Sequence, residues 1–103
     1  TNKAISNYKM AVEVNPDYAK GHNNLGNTLL KKGNTSEAIV NFKKAIELKP
    51  NYANAHNNLG VALLNIGNTS EAISQFEKAI EIKPDFAQAH DNLKSAQSKP
   101  EKD

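Results

Sequence analysis

Three histidines, His22, His56 and His90, recur at intervals of 34 residues in a chain of 103. Imidazole nitrogens ligate zinc and move protons, so a column of them invites both chemistries. Geometry argues against a shared metal. Equivalent helices of stacked units lie about 8–10 Å apart, whereas two rings sharing one zinc must each bring a nitrogen to about 2 Å from the ion. The histidines are therefore expected to be packing residues. No serine or carboxylate falls where helical stacking would pair it with a histidine inside a pocket, so nucleophilic and acid–base catalysis find no constellation. Neither an enzyme, a metal site nor a cofactor is expected.

A second set of side chains carries a different chemistry. At helical spacing one polar stripe reads Lys20, Asn23, Asn24, Asn27, Lys31; a second reads Asn54, Asn57, Asn58, Val61, Asn65; a third reads Gln88, Asp91, Asn92, Ser95. A primary amide offers donors and an acceptor together, so it can pair with the N–H and C=O of an extended peptide without reading the guest's side chains. Asparagine costs up to ~0.7 kcal/mol relative to alanine inside a helix, so this clustering opposes local folding preference and points to function. The competing explanation is a low-GC coding bias, which would also enrich Lys and Ile, together with a merely solvated groove. On the binding reading, Asn24, Asn58 and Asn92 form a ladder, and replacing any of them with Ala leaves stability unchanged or higher because no buried partner is lost.

The elements that must position these stripes follow from an internal repeat. Residues 19–52 return as residues 53–86 without gaps, with about 22 of 34 positions identical. The same register continues over NKAISNYKMAVEVNPDY upstream and AQAHDNLKSAQS downstream. Within a unit, apolar or packing groups at His22, Leu25 and Leu29 and then at Ala38, Ile39, Phe42, Ala45 and Ile46 fall at helical spacing. Each unit is thus two amphipathic helices. The spacing predicts six helices, near 2–14, 18–32, 35–48, 52–66, 69–82 and 86–98. Gly33-Asn34 with Glu37, and Gly67-Asn68 with Glu71, have the form of a cap whose acidic partner reaches back to the cap's own N–H. Pro50 and Pro84 end helices, and Asn51 and Asp85 are placed to cap the next ones, as Asp17 is after Pro16.

The 34-residue period, with Leu25-Gly26, Ala38, Phe42, Ala45 and Pro50 and again Leu59-Gly60, Ala72, Phe76, Ala79 and Pro84, resembles the signature of the tetratricopeptide repeat (TPR). It departs at His22, His56 and His90, where the family often has Trp, and at Leu29 and Leu63, where it often has an aromatic. The resemblance implies an all-α solenoid of antiparallel helix pairs, a right-handed superhelix whose first helices line a concave face, and a protein or peptide ligand in that groove. The Asn24, Asn58, Asn92 column is similar to the asparagine ladder of the repeat domain of O-GlcNAc transferase, which grips a substrate peptide's backbone. The carboxylate clamp of chaperone-binding members is matched only at Asn27 and Asn58, and its basic positions fall on Asn23, Gln88 and Asn92. Without those cations a tail carboxylate would lose hydration without a charged partner, so acidic chaperone tails are disfavoured.

This organisation predicts one array over 1–98: the second helix of a partial repeat (1–16), full repeats at 19–52 and 53–86, and a capping helix at 87–98. A disordered tail is expected at 99–103. Lys94 stands where earlier units have Gly26 and Gly60, and Gln97 where they have Leu29 and Leu63, which suits a solvated end. The helix at 2–14 would leave Ile5, Tyr8 and Val12 uncovered. The chain is therefore expected to be the C-terminal piece of a longer array, the other candidate being a complete protein whose copies associate through that strip. Two further alternatives to a peptide-binding adaptor are a self-associating scaffold and an accessory substrate-recognition domain of a larger enzyme such as a glycosyltransferase.

Composition narrows the partners. Lys and Arg number 13 against 11 Asp and Glu, and the signs are interspersed, so nucleic acid is not the expected partner. Charges such as Glu37, Lys43, Lys44 and Glu47 form an ordinary solvated face. The absence of cysteine removes disulfides, thiolate nucleophiles and Cys-based zinc sites. No apolar run approaches the ~20 residues of a membrane span, no secretion signal is visible, and the expected setting is cytoplasmic. Asn34-Thr35-Ser36 and Asn68-Thr69-Ser70 satisfy the glycosylation sequon, but both fall at helix starts and are taken as caps.

Overall fold

The computed structural model describes residues 18–98, which form five helices: α1 (Ala19–Lys31), α2 (Thr35–Leu48), α3 (Ala53–Asn65), α4 (Thr69–Ile82) and α5 (Ala87–Gln97). No strand occurs among the described residues. The helix expected near 2–14, its strip of Ile5, Tyr8 and Val12, and the expected tail lie outside them.

Each turn between paired helices is built on a glycine. Gly33 and Gly67 have φ of 85° and 82°, the left-handed conformation that a Cβ disfavours. The Gly67 N–H donates to Leu64 O (3.0 Å) and the Asn68 N–H to Leu63 O (2.9 Å); Gly33 and Asn34 repeat this with Leu30 and Leu29. These reverse bonds satisfy the last carbonyls of α1 and α3. They also correct the predicted caps. The backbone N–H of Asn68 is already committed to Leu63, so Glu71 cannot take it; Asn68 instead donates its side-chain amide to Glu71 Oε1 at 3.1 Å. Asn34 and Asn68 hold the N-cap positions of α2 and α4 as expected, but neither makes a side-chain cap bond.

The other junction differs from expectation by one residue. Tyr52 and Phe86, not Asn51 and Asp85, occupy the N-cap positions of α3 and α5, and Tyr18 that of α1. The reason is a tight turn after the preceding helix, closed by Tyr52 N–H to Lys49 O (3.1 Å) and Phe86 N–H to Lys83 O (3.0 Å). Asn51 and Asp85 sit inside that turn. The lysine that opens it folds over the aromatic that closes it, Lys49 Nζ 4.9 Å from the Tyr52 ring centre and Lys83 Nζ 5.2 Å from that of Phe86.

The pairs α1–α2 and α3–α4 pack most extensively, and α2–α3 and α4–α5 join one pair to the next. Phe42 and Phe76 are fully buried between Leu25, Leu29, Leu59, Leu63 and a column of alanines that includes Ala38, Ala62, Ala72 and Ala96. Gly26 and Gly60 lie flat against these rings: a Cβ built on Gly26 would meet Phe42 Cε1 at 2.7 Å, and one on Gly60 would meet Phe76 Cδ1 at 2.7 Å and its Cε1 closer still. The small residues of the repeat are thus the floor on which the phenylalanines rest. α1 touches α3 and α3 touches α5, but α2 and α4 make no contact. The first helices therefore form the shorter, inner side of the curved stack, and the second helices fan out on the outer side.

Candidate functional site

The inner side carries the amide stripes. Lys20, Asn24, Asn27 and Lys31 share one face of α1, Asn54, Asn58, Val61 and Asn65 one face of α3, and Gln88, Asn92 and Ser95 one face of α5. Lys20, Lys31, Asn54, Asn65, Gln88 and Asp91 are exposed, whereas Asn24, Asn27, Asn58 and Asn92 are half-buried. Two predicted site residues lie deeper. Asn23 is 7 % and Asn57 1 % exposed, wedged where one first helix meets the next.

The two groups are bonded to each other. Asn58 donates Nδ2–H to Asn23 Oδ1 and Asn92 donates Nδ2–H to Asn57 Oδ1, each at 3.0 Å. Asn23 in turn donates Nδ2–H to the Tyr52 hydroxyl at 3.4 Å, a contact without an equivalent in the next repeat because Phe86 has no hydroxyl. Each bond spends one of the four hydrogen-bonding positions of an amide, so Asn58 and Asn92 keep an N–H and the carbonyl oxygen for the groove. Asn24 is different: among the described residues its side chain makes no hydrogen bond, and only its backbone carbonyl is used, accepting from Thr28 Oγ1 at 3.1 Å.

The idea that all three ladder asparagines lack internal partners is therefore corrected. Asn24→Ala should raise stability by up to ~0.7 kcal/mol through helix propensity. Asn58→Ala gains the same propensity but strands the nearly buried Asn23 oxygen, a loss of about 0.5–1.5 kcal/mol that cancels or reverses it. Urea titration of the two variants should place Asn24→Ala above Asn58→Ala; equal midpoints would show that the amide bridge contributes nothing.

The histidines form a separate system of bonds. Nε2 of His56 lies 2.8 Å from Pro50 O and Nε2 of His90 2.8 Å from Pro84 O. A carbonyl only accepts, so these nitrogens carry protons and donate. Nδ1 of His22 and His56 face the side-chain amides of Asn41 (3.2 Å) and Gln75 (2.8 Å) on the second helix of the same pair. His56 thus ties its helix pair together and anchors the turn before it, with His22 bonded across its pair and His90 to the turn before it, a polar task beyond the packing role expected of them. No group of three or more His, Cys, Asp or Glu among the described residues could hold a metal. A shallow cleft on the outer side is lined by His56, Ser74, Gln75, Glu77, Lys78 and Glu81. Its charges include the exposed pair Lys78–Glu81 at 3.3 Å, matched in the preceding repeat by Lys44–Glu47 at 3.4 Å, and such pairs contribute little.

The TPR repeat profile matches residues 1–33 and 26–67, and the tetratricopeptide repeat profile residues 53–86. The chain belongs to the tetratricopeptide repeat family. Among solved structures it is similar to the first TPR of Spaghetti, bound there to an HSP90 peptide, with a TM-score of 0.91 over 93 % of this chain and 76 % of that one. At 20 % identity that likeness is one of fold. YrrB, a TPR protein with an unusual peptide-binding site, is 30 % identical with a TM-score of 0.85 over 90 % of this chain and 48 % of its own. The O-GlcNAc transferase of Thermobaculum terrenum is 28 % identical with a TM-score of 0.86, over 89 % of this chain but 18 % of the transferase. The TPR chain thus spans about half of YrrB and less than a fifth of the transferase. No curated protein sequence gives a significant match. No helix among the described residues is long and apolar enough to cross a membrane.

Proposed function

We propose that this TPR array is a binding module, not a catalyst, and that it holds an extended peptide along its inner face by the peptide's backbone. The observation that carries this reading is the row of half-buried amides Asn24, Asn58 and Asn92, one per first helix, each retaining donor and acceptor capacity after its internal bonds are counted. Asn27, Asn54, Asn65, Gln88, Asp91, Lys20 and Lys31 border that row and would meet the peptide's side chains. Asn23 and Asn57 support it from below. A peptide ligand is in keeping with YrrB, a TPR protein with a peptide-binding site, whereas the buried Asn23 and the uncharged Gln88 and Asn92 leave no cationic clamp for a tail carboxylate. The transferase relative makes delivery of a substrate peptide to an attached enzyme the second reading.

The test is a panel of unrelated extended peptides titrated calorimetrically against the chain, followed by backbone N-methylation of the tightest one. Binding that tolerates side-chain changes and is lost on N-methylation is expected. Binding governed by side chains alone, or displaced from the inner face in mapping by NMR, would overturn the ladder.

A further inference from the structure

We infer that Asn23 and Asn57, buried too deeply to hold a ligand, set the affinity of the inner face by fixing the amide planes of Asn58 and Asn92. The inference rests on the proposed peptide groove and concerns residues that a contact map of bound peptide would omit. A free asparagine side chain on a helix samples several rotamers and turns its amide about a broad terminal torsion. A ligand that needs one orientation must first freeze it, and that lost side-chain freedom weakens binding. The 3.0 Å bonds to Asn23 and Asn57 remove that freedom before any ligand arrives, since an amide with one N–H committed has its remaining N–H and its oxygen aimed in set directions.

The anchors are themselves immobile, for different reasons. Asn57 is 1 % exposed and held by packing. Asn23 is bonded onward to Tyr52, so Asn58, Asn23 and Tyr52 form one chain from the groove to the turn between the repeats. In the third repeat the equivalent position is Asp91, which is exposed because no further first helix packs on it among the described residues. Asn24 makes no such bond among the described residues. The inner face is therefore graded, with two preset amides on α3 and α5 and one adaptable amide on α1.

The experiment compares Asn23→Ala, which deletes the acceptor, with Asn23→Asp, which keeps an oxygen for Asn58 and can accept from Tyr52. Side-chain amide relaxation by ¹⁵N NMR is read on the ligand-free chain. The Asn58 group is expected to be rigid in the parent and in Asn23→Asp, and as mobile as Asn24 in Asn23→Ala, while Asn92 is unchanged throughout. Affinity for the tightest peptide of the panel, measured far below the unfolding midpoint with folding checked by circular dichroism, should fall about two- to tenfold in Asn23→Ala. Asn23→Asp should stay within about twofold of the parent, since its acceptor is retained. A rigid Asn58 in Asn23→Ala, or a mobile one with undiminished affinity, overturns the inference. If no peptide binds the parent chain, the groove itself fails and the affinity claim with it, and the relaxation data then report separately whether Asn23 holds Asn58.

Discussion

Gly60→Ala should lower the stability of the array, although alanine is the better helix former. In an exposed helix this substitution gains roughly 1 kcal/mol. Here the added methyl would lie 2.7 Å from Phe76 Cδ1, closer than carbon atoms pack, and the ring it meets is fully buried and cannot swing aside. Overpacking of this kind costs about 1–3 kcal/mol, which meets or exceeds the propensity gain. Gly60→Leu adds three further carbons to the same gap and should leave the chain largely unfolded, given that domains of this size are stable by only about 5–15 kcal/mol. Gly26→Ala should be milder, because its ring contacts begin at 2.7 Å where those of Gly60 begin closer. Urea titrations followed by circular dichroism rank the variants. A Gly60→Ala midpoint at or above the parent's would mean that α3 and α4 can separate without loss.

The placement of these glycines was legible in the sequence, and the amide bridges were not. Two copies of a unit, aligned without gaps, expose the columns that stay small, aromatic or leucine, Gly26 with Gly60 and Phe42 with Phe76, though not that each glycine lies against the phenylalanine of its own pair. Stacking at the 34-residue period suggests that like meets like, Asn24 above Asn58. The bonds run 35 residues apart, from Asn58 to Asn23 and from Asn92 to Asn57, because adjacent first helices meet along a line offset from the repeat axis. That offset belongs to the packing of helix on helix and leaves no trace in the spacing. The cap errors have a similar origin. Asn68 is the N-cap of α4 and also closes the turn at Gly67, and its one backbone N–H cannot serve both that turn and Glu71. The turn takes it, since its bond satisfies a carbonyl at the end of α3. Helical spacing places the histidines among the packing residues, yet the ring nitrogens of His56 hold a proline carbonyl and a partner amide, contacts that such a pattern does not report.

Phe76→Ala should cost more than Gly60→Ala. The ring is fully buried, belongs to the main apolar cluster with Leu59, Leu63 and Ala72, and lies against Gly60. Deleting a buried phenylalanine costs about 3–5 kcal/mol, the upper end applying where the walls cannot collapse. Here the walls include helix backbone at Gly60 and the alanines of the cluster, which cannot move in, beside Leu59 and Leu63, which can fill only part of the space. Phe42→Ala should fall in the same range. A double-mutant cycle then separates the ring's contact with Gly60 from its general burial. Leu at 76 lacks the ring edge that meets a Cβ at 60, so Gly60→Ala should cost less in the Phe76→Leu background than in the parent, and can become stabilising as its helix propensity is expressed. The coupling is expected between about 0.5 and 3 kcal/mol, the range for residues in direct contact. If Gly60→Ala carries the same penalty beside Phe76 and beside Leu at 76, glycine is required for something other than the ring it supports, and the small-residue column would need another explanation.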